Sequence, residues 1–170
     1  MRKMLAACLL ALFANGATAQ QRPTIPAPDF RNVTRWINTE PLHIGDLRGK
    51  VVLVDFWAFS CSNCLTALPH LKRWHADYAS RGLVIVGVHT PEFDNEKDPR
   101  AVRTQVKRLG IEYPVAQDND LANWQTWAVQ AWPTSYLVDR NGNIVLRHIG
   151  EGHYDAMEAK IRELLEQPAS

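Results

Sequence analysis

Two hydrophobic runs dominate the chain. Val51–Trp57 reads VVLVDFW and Leu83–His89 reads LVIVGVH; both are short, continuous and rich in β-branched and aromatic residues, the pattern of strands covered on both faces. Between them the period changes. Over residues 61–80, Leu65, Leu68, Leu71, Trp74 and Tyr78 recur at three- and four-residue steps, which predicts a helix stopped by Arg81-Gly82. Strand, helix, strand over about 40 residues implies a right-handed parallel crossover.

Smaller elements flank this unit. Residues 33–38 and 41–44 predict an N-terminal β-hairpin around Asn38-Thr39-Glu40. Downstream, 99–109 predicts a helix with Pro99 in its first turn and Gly110 just past its end, followed by a strand at 113–116. Residues 118–129 predict a helix with Leu121, Trp124 and Ala128 on one side, stopped by Trp132-Pro133. Strands at 134–139 and 144–149 join through Asn141-Gly142. The last helix, 153–167, carries Met157, Ile161, Leu164 and Leu165 along one stripe. No long-period repeat interrupts this order, so the pattern is that of one α/β domain.

The N-terminus changes the picture of where the protein works. Arg2 and Lys3 precede a short apolar stretch at 5–13, and Ala17-Thr18-Ala19 has the small-x-small form cut by signal peptidase. We expect a signal peptide at 1–19 cleaved near Ala19, and a periplasmic or otherwise exported mature protein. The stretch is far short of the roughly 20 apolar residues that span a bilayer. Cys8 has only seven residues before it, too few for a lipoprotein signal. Residues 20–28, with Pro23, Pro26 and Pro28, read as an extended leader to a domain at 29–170. Net charge is +1, from 19 basic and 18 acidic residues without a basic run, so nucleic acid is not an expected partner.

Cysteine usage then points to chemistry. Of three cysteines, Cys8 leaves with the signal peptide, and Cys61 and Cys64 remain three positions apart. A bridge across two residues closes almost no loop, whereas closing about 15 residues is worth roughly 3 kcal/mol. The pair therefore suits a redox couple better than a staple. Cys61 stands where an apolar strand turns into a helix. Unpaired N–H groups and the positive end of the helix dipole favour a thiolate there. Cys61 is the expected nucleophile, and Cys64, one turn further on, is the expected resolving thiol that attacks the mixed disulfide. Asp55 has two readings. An isolated acid in a buried strand either carries a raised pKa and moves a proton for Cys64, or is a strand-end residue bonded to backbone.

Val54-Asp55-Phe56-Trp57-Ala58, followed by Cys61, Cys64 and then Pro69 within the helix, resembles the active-site segment of the thioredoxin superfamily. Trp132-Pro133-Thr134 resembles that family's cis-proline loop. The resemblance covers about residues 28–167, and the stretches WAFSCSNC, VHTPEF and YPVAQDND resemble its exported TlpA-like and DipZ-like branch. It implies a thioredoxin-like fold: a central mixed β-sheet flanked by helices, with an N-terminal β-hairpin and an inserted helix-strand at 99–116. It also implies dithiol exchange with disulfide-bonded protein substrates, without a cofactor, sustained by a thiol-transferring electron donor in the membrane. The loop Trp132, Pro133 and Thr134 would contact substrate, the Trp132–Pro133 bond would be cis, and the proton-transfer reading of Asp55 is favoured. Trp57 and Trp132 themselves have two readings, an apolar docking surface flanking the site or simply core.

Three positions depart from the pattern. Ser62-Asn63 stands where thioredoxin has Gly-Pro, Ala67 stands where some relatives have a glutamate, and Leu83–His89 lacks thioredoxin's lysine. The competing expectation is a copper(I) carrier using both thiolates with His89 or His148. Against it, copper carriers on this fold separate their cysteines by three residues, not two. A zinc site would need two more spaced ligands. A peroxidase would need Thr or Ser three residues before the reactive cysteine, where Ala58 stands.

Overall fold

The computed structural model describes residues 24–168, so the expected signal peptide, its cleavage point and Cys8 lie outside the described residues. In chain order the strands are β1 (Ile25–Pro26), β2 (Arg35–Ile37), β3 (Val51–Trp57), β4 (Leu83–His89), β5 (Val115–Gln117), β6 (Thr134–Val138) and β7 (Asn143–Ile149). The helices are α1 (Ser62–Tyr78), α2 (Pro99–Arg108), α3 (Ala122–Thr126) and α4 (Tyr154–Glu166). One mixed sheet, ordered β1-β7-β6-β3-β4-β5-β2, organises them. β3 pairs parallel with β4 and antiparallel with β6.

All seven residues of β3 are buried because both faces of the sheet are covered. Leu53, Trp57, Ile85 and Leu137 pack under α1, α2 and α4. Val54, Phe56, Val88 and Tyr136 face the other way, against Phe30 and Trp127. Gly87 of β4 is the one place where the run of large side chains must break. A Cβ there would lie 3.0 Å from the Trp57 indole nitrogen and 3.1 Å from the Tyr113 ring.

Four local expectations need correction. The N-terminal hairpin does not form. Arg35–Ile37 pairs antiparallel with β5 at the far edge of the sheet, and the would-be second strand gives way to a 3-10 turn at Ile44–Leu47. Ile44 is buried among apolar residues of the Val52 face, and Asp29 Oδ1 accepts its N–H, which together hold this segment across the sheet instead of along it. Second, Ile25–Pro26, inside the proline-rich stretch, adds an antiparallel edge strand to β7. Third, the helix expected over 118–129 shrinks to α3. The buried Asp118 carboxylate takes the N–H groups of Asn123 and Trp124, and left-handed backbone at Leu121 and Ala128 ends the helix on either side. Fourth, Leu65 points outward from α1, whose buried stripe is Cys64, Ala67, Leu68, Leu71, Trp74 and Tyr78.

Candidate active site: a disulfide at the start of a helix

β3 delivers the chain to the site. Beyond Trp57 it runs through Ala58 to Ser60 and into Cys61, the residue that caps α1. Cys61 and Cys64 form a disulfide, with Cα atoms 5.3 Å apart. Cys61 Sγ accepts the N–H of Cys64 at 3.2 Å, satisfying one of the free donors of the helix start. Cys61 is 9% exposed and Cys64 4%. Cys61 lines an open groove with Ser62, Asn63, Phe93 and Trp132.

The groove has two walls, each held from below. On one side, Trp132 donates its indole N–H to Thr90 O and packs on Trp124 with ring centroids 4.1 Å apart. The Trp132–Pro133 peptide bond is cis. Pro133 and Thr134 are buried, and the Thr134 hydroxyl donates to Ala131 O, bracing the turn. On the other side stands Phe93, 56% exposed, in a loop gripped by Glu96. The fully buried Glu96 carboxylate accepts the N–H and hydroxyl of Ser60 and the N–H groups of Glu92 and Phe93. Burial alone would raise its pKa, but these hydrogen bonds outweigh it and hold the group below the usual carboxylate range. Glu96 thus ties the Phe93 loop to the residue that precedes Cys61.

Asp55 lies on the opposite side of β3 from Phe56, 3% exposed, on the face covered by α1 and α4. Ser135 of β6, directly across from it, donates its hydroxyl to Asp55 Oδ1 at 2.7 Å. Desolvation pushes the carboxyl up to about 7, and the single hydroxyl only partly opposes this. Asp55 lines a small cavity with Ala67, Pro133, Ser135, His148 and Tyr154. Ala67 lies one turn past Cys64, so the cavity reaches the helix behind the disulfide and the cis-proline loop beside it.

Other expected residues sit differently. Trp57 is 3% exposed and meets the His89 ring edge to face at 5.1 Å, so it packs behind the site and does not face the groove. The outward aromatic positions are Trp132 and Phe93. His89 is fully buried between Trp57 and Phe59, and desolvation lowers its pKa to about 4, leaving a neutral ring. Among the described residues no group of three His, Cys, Asp or Glu side chains is placed to hold a metal ion, and the copper(I) alternative is not favoured. Sequence reasoning passed over Glu96 and Ser135. Glu96 sits in a run of charged loop residues with nothing to mark it as buried, and Ser135 matters only through strand register.

A mixed sheet flanked by helices, with a CXXC disulfide capping the helix after the central strand, defines a protein of the thioredoxin superfamily. The AhpC/TSA family profile matches residues 23–147, and the chain belongs to that family. It is 46% identical over 144 residues to protein DipZ of Mycobacterium tuberculosis, an alignment covering 82% of this chain but 20% of that protein. This chain therefore spans about a fifth of the DipZ length. Thiol-disulfide oxidoreductase ResA of Bacillus anthracis is 29% identical over 138 residues, covering 81% of this chain and 76% of that one. A crystal structure of a thiol:disulfide interchange protein from Chlorobium tepidum superposes with a TM-score of 0.70 at 25% identity, covering 86% of this chain and 99% of that chain. These matches fit the DipZ-like branch expected from the motifs.

Proposed function

We propose that the protein is an exported thiol-disulfide oxidoreductase that reduces disulfides in other proteins. The observation that carries this reading is the Cys61–Cys64 disulfide at the α1 N-terminus, with Cys61 on an open groove and Cys64 behind it. In the reduced form the helix start favours a Cys61 thiolate. That thiolate attacks one sulfur of the substrate disulfide, forming a mixed disulfide and releasing the first substrate thiolate. Cys64 then loses its proton to Asp55 and attacks Cys61 Sγ, expelling the second substrate thiolate and closing the Cys61–Cys64 disulfide. Two electrons pass to the substrate. A carboxyl with a pKa of about 7 suits proton uptake near neutrality.

Trp132 forms the docking side of the groove, with Pro133 and Thr134 of the same loop buried behind it, and the apolar Trp132 and Phe93 faces suit an extended, partly unfolded polypeptide. Regeneration needs a dithiol donor. In an oxidising compartment that role falls to a thiol-transferring membrane protein, and the features at 1–19 support export with cleavage near Ala19. No helix among the described residues is long and apolar enough to cross a membrane.

The decisive experiment is a trapping comparison joined to a potential. Cys64→Ser should accumulate a mixed disulfide with a reducible protein substrate, and Cys61→Ser should not. The equilibrium potential of the couple should lie near thioredoxin's roughly −270 mV, whereas a value near −120 mV would make the protein a disulfide donor instead. Trapping by Cys61→Ser alone would reverse the assigned roles.

A further inference from the structure

In an antiparallel ladder, residues directly opposite one another share a face. Asp55 of β3 stands opposite Ser135 of β6, and Ser135 stands opposite His148 of β7. A single row of polar side chains therefore crosses three strands, from the centre of the sheet towards its β1 edge. All three line one cavity under α1 and α4. Ser135 already donates to Asp55. His148 is half-buried, and its Nε2 is shielded from solvent with no hydrogen-bond partner among the described residues. A shielded ring nitrogen without a partner, on a cavity it shares with a carboxyl, is open to proton exchange across that cavity. Its ring meets the ring of His153, an exposed residue, edge to face at 5.2 Å.

We propose that this row is the proton exit of the buried carboxyl, with His148 carrying the Asp55 proton across the cavity to solvent beside His153. The proposal rests on the oxidoreductase reading, in which Asp55 takes the Cys64 proton when the disulfide closes, and a proton must come back to Cys64, along the same row or from Asp55 itself, when the donor reduces the pair. The Cys64 thiol gives its proton to the Asp55 carboxylate. The resulting Asp55 carboxylic acid passes it to the neutral His148 imidazole, and the imidazolium releases it to water. Both groups return to their starting forms, and no electron moves in these steps.

The groups around the cavity leave this task to His148. From α1 the lining residues are Ala67, Leu71 and Trp74, and α4 adds Met157, none of which exchanges protons. Tyr154 of α4 is pushed up to about 12 by burial and by its hydrogen bond to Glu151, and it stacks on His70. Burial and the nearby Asp55 charge raise Tyr113 well above the ordinary tyrosine range. Both phenols stay protonated at neutrality, whereas imidazole is the side chain suited to exchange there.

The test uses the full chain, wild type and His148→Gln, with equal urea midpoints as the check on folding. Reduction of a test disulfide is followed from about pH 6 to 8, with and without added imidazole. His148→Gln should slow turnover by about tenfold, and imidazole should restore most of the loss without accelerating wild type. Separately, in the oxidised protein, the 13C titration midpoint of the Asp55 carboxyl should differ between wild type and His148→Gln. A rate within about twofold of wild type, or a loss that imidazole does not restore, overturns the proposal. If wild type itself reduces no disulfide, the oxidoreductase reading falls. The titration then decides the row by itself: an Asp55 curve unchanged by His148→Gln overturns it.

Discussion

Asp55 and Glu96 are both buried carboxylates on the frame of one disulfide, yet they are pushed in opposite directions. Asp55 has one hydroxyl donor, and desolvation raises it to about 7. Glu96 is gripped by three N–H groups and one hydroxyl, and is held below the usual range. The donors aimed at the anion separate them, together with the heavier desolvation of Asp55. The difference suits two tasks. A carboxyl poised near neutrality can take up and release a proton, whereas one locked as an anion serves as a fixed pin for the Ser60 and Phe93 segments.

The largest expected effect is the pH dependence of stability carried by Asp55. Its folded pKa of about 7 exceeds the ordinary 3.8, so between those values the folded protein keeps a proton that the unfolded chain has lost. Stability from this group therefore falls as pH rises through that window, by up to about 4 kcal/mol at its upper end. Asp55→Asn cannot ionise. Its urea stability relative to wild type should improve from about pH 4 to 8, and parallel curves for the two proteins would remove the contrast with Glu96.

Next comes the pin. Glu96→Ala leaves four donors to find other partners and should cost about 3 kcal/mol, while amide exchange at Glu92 and Phe93 accelerates. Here the sign is opposite. A depressed carboxylate contributes stability above its ordinary pKa of 4.5 and loses it as pH falls through the folded value, so Glu96→Ala should flatten the acid limb of the stability curve. An unchanged acid limb would show that the hydrogen bonds do not stabilise the anion.

The smallest effects come from removing one hydroxyl on each side. Ser60→Ala leaves Glu96 three N–H donors and should cost about 1 kcal/mol or less. Ser135→Ala takes away the hydroxyl bonded to Asp55 and should move the carboxyl still higher, read from its 13C titration. Equal responses of the two carboxyls would mean that donor count is not what distinguishes them.

Much of the site was legible in the residues. The CXXC pair at a strand-to-helix junction, the lone acid in VVLVDFW and the proline before β6 all rest on neighbours within a few positions. What the residues left open or misplaced shares another feature. Of the two readings of Trp57 the core one holds, because a glycine in the neighbouring strand makes room for it inside. Residues 33–38 were expected to pair with 41–44, but Arg35–Ile37 pairs with Val115–Gln117. Glu96 and Ser60 meet across 36 positions and Asp55 and Ser135 across 80.

By itself, then, the sequence determined the central strands, α1, α4 and the placement of the cysteines at a helix start, because hydrophobic period, turn residues and capping act over one or two turns of chain. Only the tertiary structure decided which strand flanks which, how many donors surround each buried carboxylate, and that Asp55, Ser135 and His148 fall in one row. Those outcomes depend on register and packing between segments far apart in the chain, and a one-residue slip in any strand would have turned the same side chains to the other face.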